Sequence, residues 1–258
     1  MLLVRPIHDP EFLEKYSLGV ETHINRDDIK PDYEKYLPFV HGVHLPYNGV
    51  NLASPDEAER SRGVEYVKTA IDKAVQYPVD RVVMHPCGIM SEEGRKTGEY
   101  GKLVDSLRDV AGYAAQKGLI ICIENQLYKP ANVKEIFACR SEEWFQLYYD
   151  VNRSGNVKLT FDSSHAASCA AEESDDEKRL AALWKYLEHP DYIGRFHWSD
   201  SRIAGGESLF WDMHLVPGQG TLPREFHQEI LRHPAVKLLE QYCTQDEVIS
   251  GLEFISSL

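Results

Sequence analysis

The sequence predicts a single α/β domain folded as a (β/α)8 barrel. Eight short apolar segments alternate, for the most part, with helical segments along the 258 residues. Several of these segments are apolar without a period of two, as expected of parallel strands that are covered on both faces. The length also suits one barrel of about 250 residues. An open doubly wound sheet is the structural alternative, but no glycine-rich phosphate loop follows the first strand. We therefore expect one domain over residues 1–258.

The first four units each begin with an apolar run. Asp9 and Pro10 are the expected cap and first residue of a helix after the first strand. The polar stretch 25–37 predicts a loop with a helical turn. Ser54 begins a Ser-Pro-Asp-Glu sequence, which combines a cap, a first-turn proline and an acidic first turn. The expected segments are strand 2–6, helix 10–16, strand 17–23, strand 40–45, helix 54–76 and strand 79–85.

The later units follow the same pattern. Helix 102–117 places leucine, valine and alanine on one face, and Gly118 ends it. The strand after it is apolar until its last residue, Glu124. The run from Val157 has β character and ends in Asp162. The expected segments are helix 102–117, strand 119–124, helix 141–151, strand 157–162, helix 175–187, strand 193–198, helix 224–232, strand 236–240 and helix 245–258.

Composition narrows the class of protein. The formal net charge of -13 argues against binding of nucleic acid through bulk positive charge, although it leaves room for a local basic or metal-lined site. The five cysteines form no CxxC pair and are odd in number, which indicates reduced thiols in a cytoplasmic protein. No run approaches 18 apolar residues, so neither export nor a membrane span is expected.

Imidazoles and carboxylates stand at the carboxyl ends of six successive predicted strands. In a barrel these ends converge on one mouth, so residues that are far apart in sequence become neighbours. Mixed nitrogen and oxygen ligands suit zinc, manganese or iron. The candidate metal ligands are His44, His85, Glu124, Asp162, His165, His197 and Glu240, with Asp212 and His214 from the loop after strand seven. Other histidines, and one glutamate that resembles a strand ending, do not stand at the end of a predicted strand: His8, His41, His189, His227, His233 and Glu253. We expect Glu253 to be a surface charge on the final helix.

Taken in order, these motifs resemble those of the endonuclease IV family, a family of xylose isomerase-like TIM barrels. The resemblance runs from about residue 40 to the end. The motifs that carry it are His44-Leu45-Pro46-Tyr47, Val83-Met84-His85-Pro86-Cys87-Gly88, Ile123-Glu124-Asn125, Phe161-Asp162-Ser163-Ser164-His165, Phe196-His197-Trp198-Ser199-Asp200-Ser201, Asp212-Met213-His214 with Pro217-Gly218-Gln219-Gly220, and Leu238-Leu239-Glu240. The Asp-x-His pair distinguishes trinuclear endonucleases from sugar isomerases with one or two metals.

The resemblance implies three metal sites and a reaction. His44, His85 and Glu124 would hold the first ion. Glu124 would bridge to a second ion, held also by Asp162, His197 and Glu240. His165, Asp212 and His214 would hold the third. Such a cluster acidifies bound water, clamps phosphate oxygens and stabilises a leaving alkoxide, which are the functions that phosphodiester cleavage needs. Glu124 would also help to orient the nucleophile.

Some segments depart from the family's pattern. Residues 5–9 stand where the family has a loop with serine and glycine, and residues 126–130 replace a glycine-containing loop. In the endonucleases both loops surround the site and contact DNA. Tyr47 stands where the family has a tyrosine that enters the DNA, and Arg26 is a looser match to an arginine used likewise. The resemblance thus implies substrate-binding roles for Tyr47 and Arg26.

Two functional hypotheses follow. The first is a metal-dependent phosphodiesterase that acts on abasic or damaged DNA with up to three divalent ions, Zn²⁺ first and Mn²⁺ or Fe²⁺ as alternatives. The second is a sugar or sugar-phosphate isomerase or epimerase, in which the metal-site residues Glu124 and Glu240 move a proton beside a carbonyl. Glu21, at the end of strand two, and the acidic charge favour the second hypothesis. A non-enzymatic metal-storing or scaffold barrel is disfavoured, because the strand-end mouth of a barrel is where catalysis resides.

Overall fold

Eight parallel strands close into a barrel in the computed structural model, which describes residues 1–24, 31–86, 98–127, 137–203, 212–241 and 244–258. Each strand pairs with the next along the chain, and the last strand pairs with the first. The predicted closed barrel is therefore confirmed. The strands are β1 Leu2–Val4, β2 Gly19–His23, β3 Val40–His44, β4 Arg81–Met84, β5 Ile120–Glu124, β6 Val157–Asp162, β7 Ile193–Trp198 and β8 Val236–Leu239.

Helices surround the barrel and connect most of the strands. They are α1 Pro10–Lys15, α2 Glu57–Ala74, α3 Tyr100–Gln116, α4 Ser141–Val151, α5 Ser163–Ala170, α6 Asp176–Lys185, α7 Arg224–Arg232 and α8 Gln245–Ser256. In the part of the chain that the structure describes, the 3-10 helices Pro31–Phe39 and Pro190–Tyr192 precede β3 and β7. Within the described residues, no helix combines the length and apolarity needed to cross a membrane.

The N-terminal capping of two helices differs from the prediction. Asp9 precedes α1, but its side chain makes no capping hydrogen bond. The cap of α2 is Asp56, whose carboxylate accepts the backbone N–H of Glu59 at 3.0 Å, so the expected cap at Ser54 was wrong. Ser54 instead accepts the N–H of Asp56 at 3.1 Å and donates to the Glu59 carboxylate at 2.6 Å, and these bonds position the turn before the helix.

One helix, α5, was not predicted. It begins immediately after β6, where the Asp162 carboxylate accepts the backbone N–H of His165 at 2.7 Å. All eight of its residues are buried, so its sequence shows no polar face from which a helical period could be recognised. The helix places His165 in its first turn, directly above the end of the strand.

The main apolar core lies between the barrel and the helices. Leu107, Val110 and Ala114 on α3 are buried, as the amphipathic pattern of that helix predicted. On α4, the fully buried Trp144 donates its indole N–H to the carbonyl of Ile123 at 3.0 Å, which joins that helix to β5. Full burial of a leucine or valine stabilises the fold by roughly 1.5–3 kcal/mol. These contacts hold α3 and α4 against the barrel.

The inside of the barrel contains charged side chains. Glu21 on β2 is fully buried and contacts His197 on β7, and the two strands are not neighbours in the sheet. Arg195 on β7 reaches the carbonyl of His41 on β3 at 3.3 Å. Because these strands are not neighbours, the contacts cross the interior of the barrel. The interior therefore contains polar groups as well as apolar ones.

Candidate metal centre

All nine predicted ligands lie together at the carboxyl-terminal face of the barrel. Eight of them form three groups, in each of which one ligand atom per residue lies within 4.8 Å of the others. The groups are His44, His85 and Glu124; Glu124, Asp162, His197 and Glu240; and Asp162, His165 and His214. Asp212 contacts both histidines of the third group. The histidines that we set aside in the sequence belong to none of the groups found among the described residues.

The first group joins β3, β4 and β5. The Nε2 atoms of His44 and His85 lie 3.3 and 3.4 Å from the same oxygen of Glu124, Oε2. His44 uses its other nitrogen, Nδ1, to donate to the carbonyl of Leu45 at 2.7 Å, which turns Nε2 toward the group. Glu124 is nearly completely buried, and His85 is slightly more exposed.

The second group centres on the Nδ1 atom of His197. Nδ1 lies 3.2 Å from Glu124 Oε1, 2.7 Å from Glu240 Oε2 and 3.9 Å from Asp162 Oδ2. Glu124 therefore faces the first group with one oxygen and the second group with the other. This is the arrangement of a carboxylate that can bridge two ions.

The third group combines α5 with the loop that precedes α7. His165 donates Nδ1–H to the carbonyl of Asn125 at 2.8 Å, and its Nε2 lies 3.6 Å from Asp212. His214 Nε2 lies 2.8 Å from Asp212, while its Nδ1 contacts the Ser199 hydroxyl at 3.0 Å. Asp212 and His214 are partly exposed, so this group forms the solvent side of the site.

Ser164 holds the loop that carries the third group. Its hydroxyl accepts the backbone N–H groups of Met213 and His214 at 3.0 and 3.1 Å. The backbone of His214 has a φ of 41°, a left-handed conformation that is uncommon for residues other than glycine. A non-glycine residue held there by two hydrogen bonds indicates a loop shaped to aim one side chain.

The donor set fits divalent cations. Histidine ligands of metals usually donate their second ring nitrogen to a carbonyl or carboxylate, as His44, His165 and His197 do here. The Asp162 Oδ2 atom is buried and has no hydrogen-bond partner among the described residues, although its other oxygen caps α5. A buried carboxylate oxygen without a partner is costly, and a bound cation removes that cost.

Carboxylates and burial have opposite effects on the pKa values of the histidines in the site. Burial acts to lower the pKa of His197, but Glu240 and Glu124 outweigh it and hold this pKa well above its ordinary value. For His214 the effect of burial is likewise outweighed, chiefly by Asp162, and the pKa is raised to about 9. Burial raises the pKa of Asp162 itself to about 7. Carboxylates thus outweigh burial around His197 and His214, which favours a cation there, whereas burial lowers the pKa of His85 in the first group.

Three residues that were not predicted as metal ligands also contact the site. Arg5, directly after β1, contacts the carboxylate of Glu240 and the ring of His23. His23, the last residue of β2, stacks on His44 with ring centroids 4.6 Å apart. Glu21 on the same strand hydrogen-bonds to His197. The search for an imidazole or carboxylate at a strand end would have identified His23 had it been applied to the second strand, but not Arg5, whose guanidinium is neither.

The two predicted substrate residues have different outcomes. Tyr47 is half-buried beside the first group, where its ring stacks on His85 at 4.5 Å and meets His44 edge-on at 5.3 Å. It thus lies at the rim, and its proposed contact with substrate stays a prediction. Arg26 lies outside the described residues.

Comparison with known proteins supports the sequence resemblance. A family model described as a xylose isomerase-like TIM barrel matches residues 18–256. The probable endonuclease 4 of Malacoplasma penetrans (strain HF-2) is 27% identical to this chain over 219 residues, which span 83% of this chain and 72% of that protein. The resemblance to the endonuclease IV family is thereby confirmed, at low identity.

Solved structures of two kinds share the fold. Endonuclease IV from Thermus thermophilus matches with a TM-score of 0.67 and 16% identity, over 99% of this chain and 97% of that one. D-psicose 3-epimerase from Clostridium cellulolyticum, solved with D-tagatose, matches with a TM-score of 0.69 and 15% identity, over 96% of this chain and 91% of that one. At such identities these structures show a common fold and no more.

Proposed function

Since this chain belongs to the xylose isomerase-like TIM barrel family, we propose that it is a metal-dependent phosphodiesterase that works in the manner of endonuclease IV. The observation that carries the proposal is the third ligand group. Asp212 lies against both His165 and His214, next to a second group with which the third shares Asp162. An isomerase with one ion would need only the second group.

The roles of the ligands follow from the first two groups and, for the third ion, from the family resemblance, which assigns Asp212 rather than Asp162 to His165 and His214. The first ion would be held by His44, His85 and Glu124, the second by Glu124, Asp162, His197 and Glu240, and the third by His165, Asp212 and His214. Bound divalent ions would supply an acidified water, a clamp for phosphate oxygens and stabilisation of the leaving alkoxide. Zinc is the first metal to test, with manganese and iron as alternatives.

The chain's own residues would orient the reaction. Glu124 is held between the histidines of two groups by both of its oxygens, which fixes the spacing between them. The half-buried Tyr47 and the partly exposed Asp212 lie on the side that solvent reaches. A substrate phosphate would approach from that side, where Tyr47 would pack against the group attached to it.

We propose abasic DNA as the substrate, because the relative described above is named a probable endonuclease 4. Because the net charge is -13, DNA would bind through the metal cluster and local contacts at the rim rather than through overall positive charge.

An incision assay tests the proposal. Zinc-loaded protein should cut a duplex that carries one abasic site, a chelator should abolish cutting, and added zinc should restore it. Asp212→Asn should lower the rate by more than roughly 100-fold, since even changes outside the ligand shell cost about 10- to 100-fold. The exposed Asp246→Asn, on α8, is the matched control and should cut normally.

A second substrate separates the reaction from the choice of DNA. Cleavage of bis(p-nitrophenyl) phosphate without incision of DNA would retain the phosphodiesterase and reject DNA as its substrate. The absence of chelator-sensitive cleavage of both substrates would contradict the proposed function.

A sugar isomerase or epimerase is the second candidate. The second ligand group supports it, because Glu124, Asp162, His197 and Glu240 would be a complete four-ligand site for one ion. Glu21, which favoured this function in the sequence, is buried against His197 instead of facing the open side. The same protein, loaded with manganese and given a ketohexose, tests this candidate. Turnover with close to one ion per chain and no phosphodiester cleavage would favour it.

A further inference from the structure

Glu21 lies beneath the second ligand group, on the opposite side of His197 from the other carboxylates. Its Oε1 atom is 2.9 Å from His197 Nε2, whereas Nδ1 of the same ring faces Glu240 and Glu124. Both residues are completely buried. Because the Glu21 carboxylate can only accept a hydrogen bond from Nε2–H, this contact leaves Nδ1 directed at the ligand group.

The barrel is built to hold Glu21 in this place. Gly42 on β3 lies beside it, and a Cβ atom at Gly42 would come within 2.6 Å of Glu21 Oε2 and 2.9 Å of Glu21 Cβ. The space that Glu21 occupies therefore depends on glycine at position 42. Arg195 Nη1 lies 3.7 Å from Glu21 Oε2 and offsets its charge inside the barrel.

We propose that Glu21 is a positioning residue that fixes the tautomer and ring orientation of His197, and thereby the affinity of the second ligand group for a divalent ion. A carboxylate behind a metal-binding histidine holds the ring and raises the basicity of its ligating nitrogen. The inference rests on metal binding by the proposed site, but not on the reaction or the substrate.

Metal affinity is the first test. The chelator-treated protein is titrated with Co²⁺, and binding is followed by the visible absorption of the ion. Glu21→Ala should bind the ion of the second group roughly 10- to 100-fold more weakly. Glu21→Gln keeps an oxygen that accepts Nε2–H, so it should recover most of that loss. Glu11→Ala, at an exposed position on α1, is the control and should bind as the unaltered protein does.

Nuclear magnetic resonance of histidine side chains gives a readout that a merely structural role would not move. In the zinc-loaded protein, His197 should show a hydrogen-bonded Nε2–H and a metal-bound Nδ1. The Nε2–H signal should persist in Glu21→Gln and be lost in Glu21→Ala. If Glu21→Ala does not fold, the Glu21→Gln variant decides alone, through a retained Nε2–H signal and affinity within about tenfold of the unaltered protein.

Two results would overturn the inference. One is Glu21→Ala with unaltered Co²⁺ affinity and an unaltered His197 signal. The other is a folded Glu21→Gln that lacks the Nε2–H signal or binds as weakly as Glu21→Ala. Because neither readout involves catalysis, a failure to cleave phosphodiesters would leave this test intact.

Discussion

At the scale of single residues, we expect Asp162 to combine a structural role with that of a metal ligand. One oxygen accepts the backbone N–H of His165 and caps α5, and the other is buried without a hydrogen-bond partner among the described residues. Asparagine caps helices about as well as aspartate but lacks the charge of a metal ligand. The two roles can therefore be separated by substitution.

Asp162→Asn and Asp162→Ala should differ in stability but not in metal loss. After chelator treatment, urea unfolding should show Asp162→Asn to be more stable than Asp162→Ala by about 1 kcal/mol, because only asparagine retains the cap. Elemental analysis should show that both variants bind fewer ions than the unaltered protein. Equal stabilities would contradict the capping role, and a full metal complement in Asp162→Asn would contradict the ligand role.

At the scale of elements, local signals were sufficient for helices with one polar face. The bounds of α4 and α7 are those predicted, and so are those of the fully buried strand β7. Helix α5 has no polar face, and its existence depends on burial between its neighbours and on the Asp162 cap. The most complete local signal belongs to α8, where Thr244 and Glu247 form a reciprocal capping box.

Thr244→Ala should lower the free energy of unfolding by about 1 kcal/mol at pH 7, since the N-cap acceptor is lost. Hydrogen bonds from the backbone N–H and hydroxyl of Thr244 hold the pKa of Glu247 below its ordinary value. The folded state therefore releases the Glu247 proton more readily than the unfolded chain, and this stabilisation is present above the unfolded pKa and lost as the pH falls through the folded one.

Urea unfolding between pH 7 and pH 3 checks this prediction, and the difference between Thr244→Ala and the unaltered protein should shrink toward the acid end. Ser256→Ala, at an exposed position of the same helix, is the control and should change stability by less than about 0.5 kcal/mol. A difference that stays constant down to pH 3 would contradict the link to Glu247.

At the scale of the whole molecule, the ligand groups bring together residues that are far apart in the sequence. The nine residues lie at or after the ends of six strands, β3 to β8, and eight of them form the three groups at one face. Ions bound there would be present in the folded state only, because the unfolded chain does not bring these residues together. Metal binding is therefore expected to stabilise the barrel by mass action.

Removal of metal should lower the melting temperature. When the free metal concentration is about 100 times the Kd of a site, that site adds about 2.7 kcal/mol to the free energy of unfolding. In a chain of this size, 1 kcal/mol corresponds to roughly 2–4 °C in melting temperature. In differential scanning calorimetry, the melting temperatures of chelator-treated and zinc-loaded protein should thus differ by at least about 5 °C for one site. Identical melting curves would contradict metal binding, and His233→Ala, outside the ligand groups, should keep the full shift.

The sequence by itself determined the closed barrel and the identity of the residues at the mouth, because strand and helix periods are local and strand ends in a barrel converge. Only the tertiary structure decided which oxygen and nitrogen atoms of those residues face one another. Asp162 belongs to two groups, Arg5 contacts Glu240, and Glu21 holds His197 from below. These contacts join strands that lie across the barrel or at its closure. Their partners are therefore set by the register and curvature of the whole sheet, which no local pattern contains.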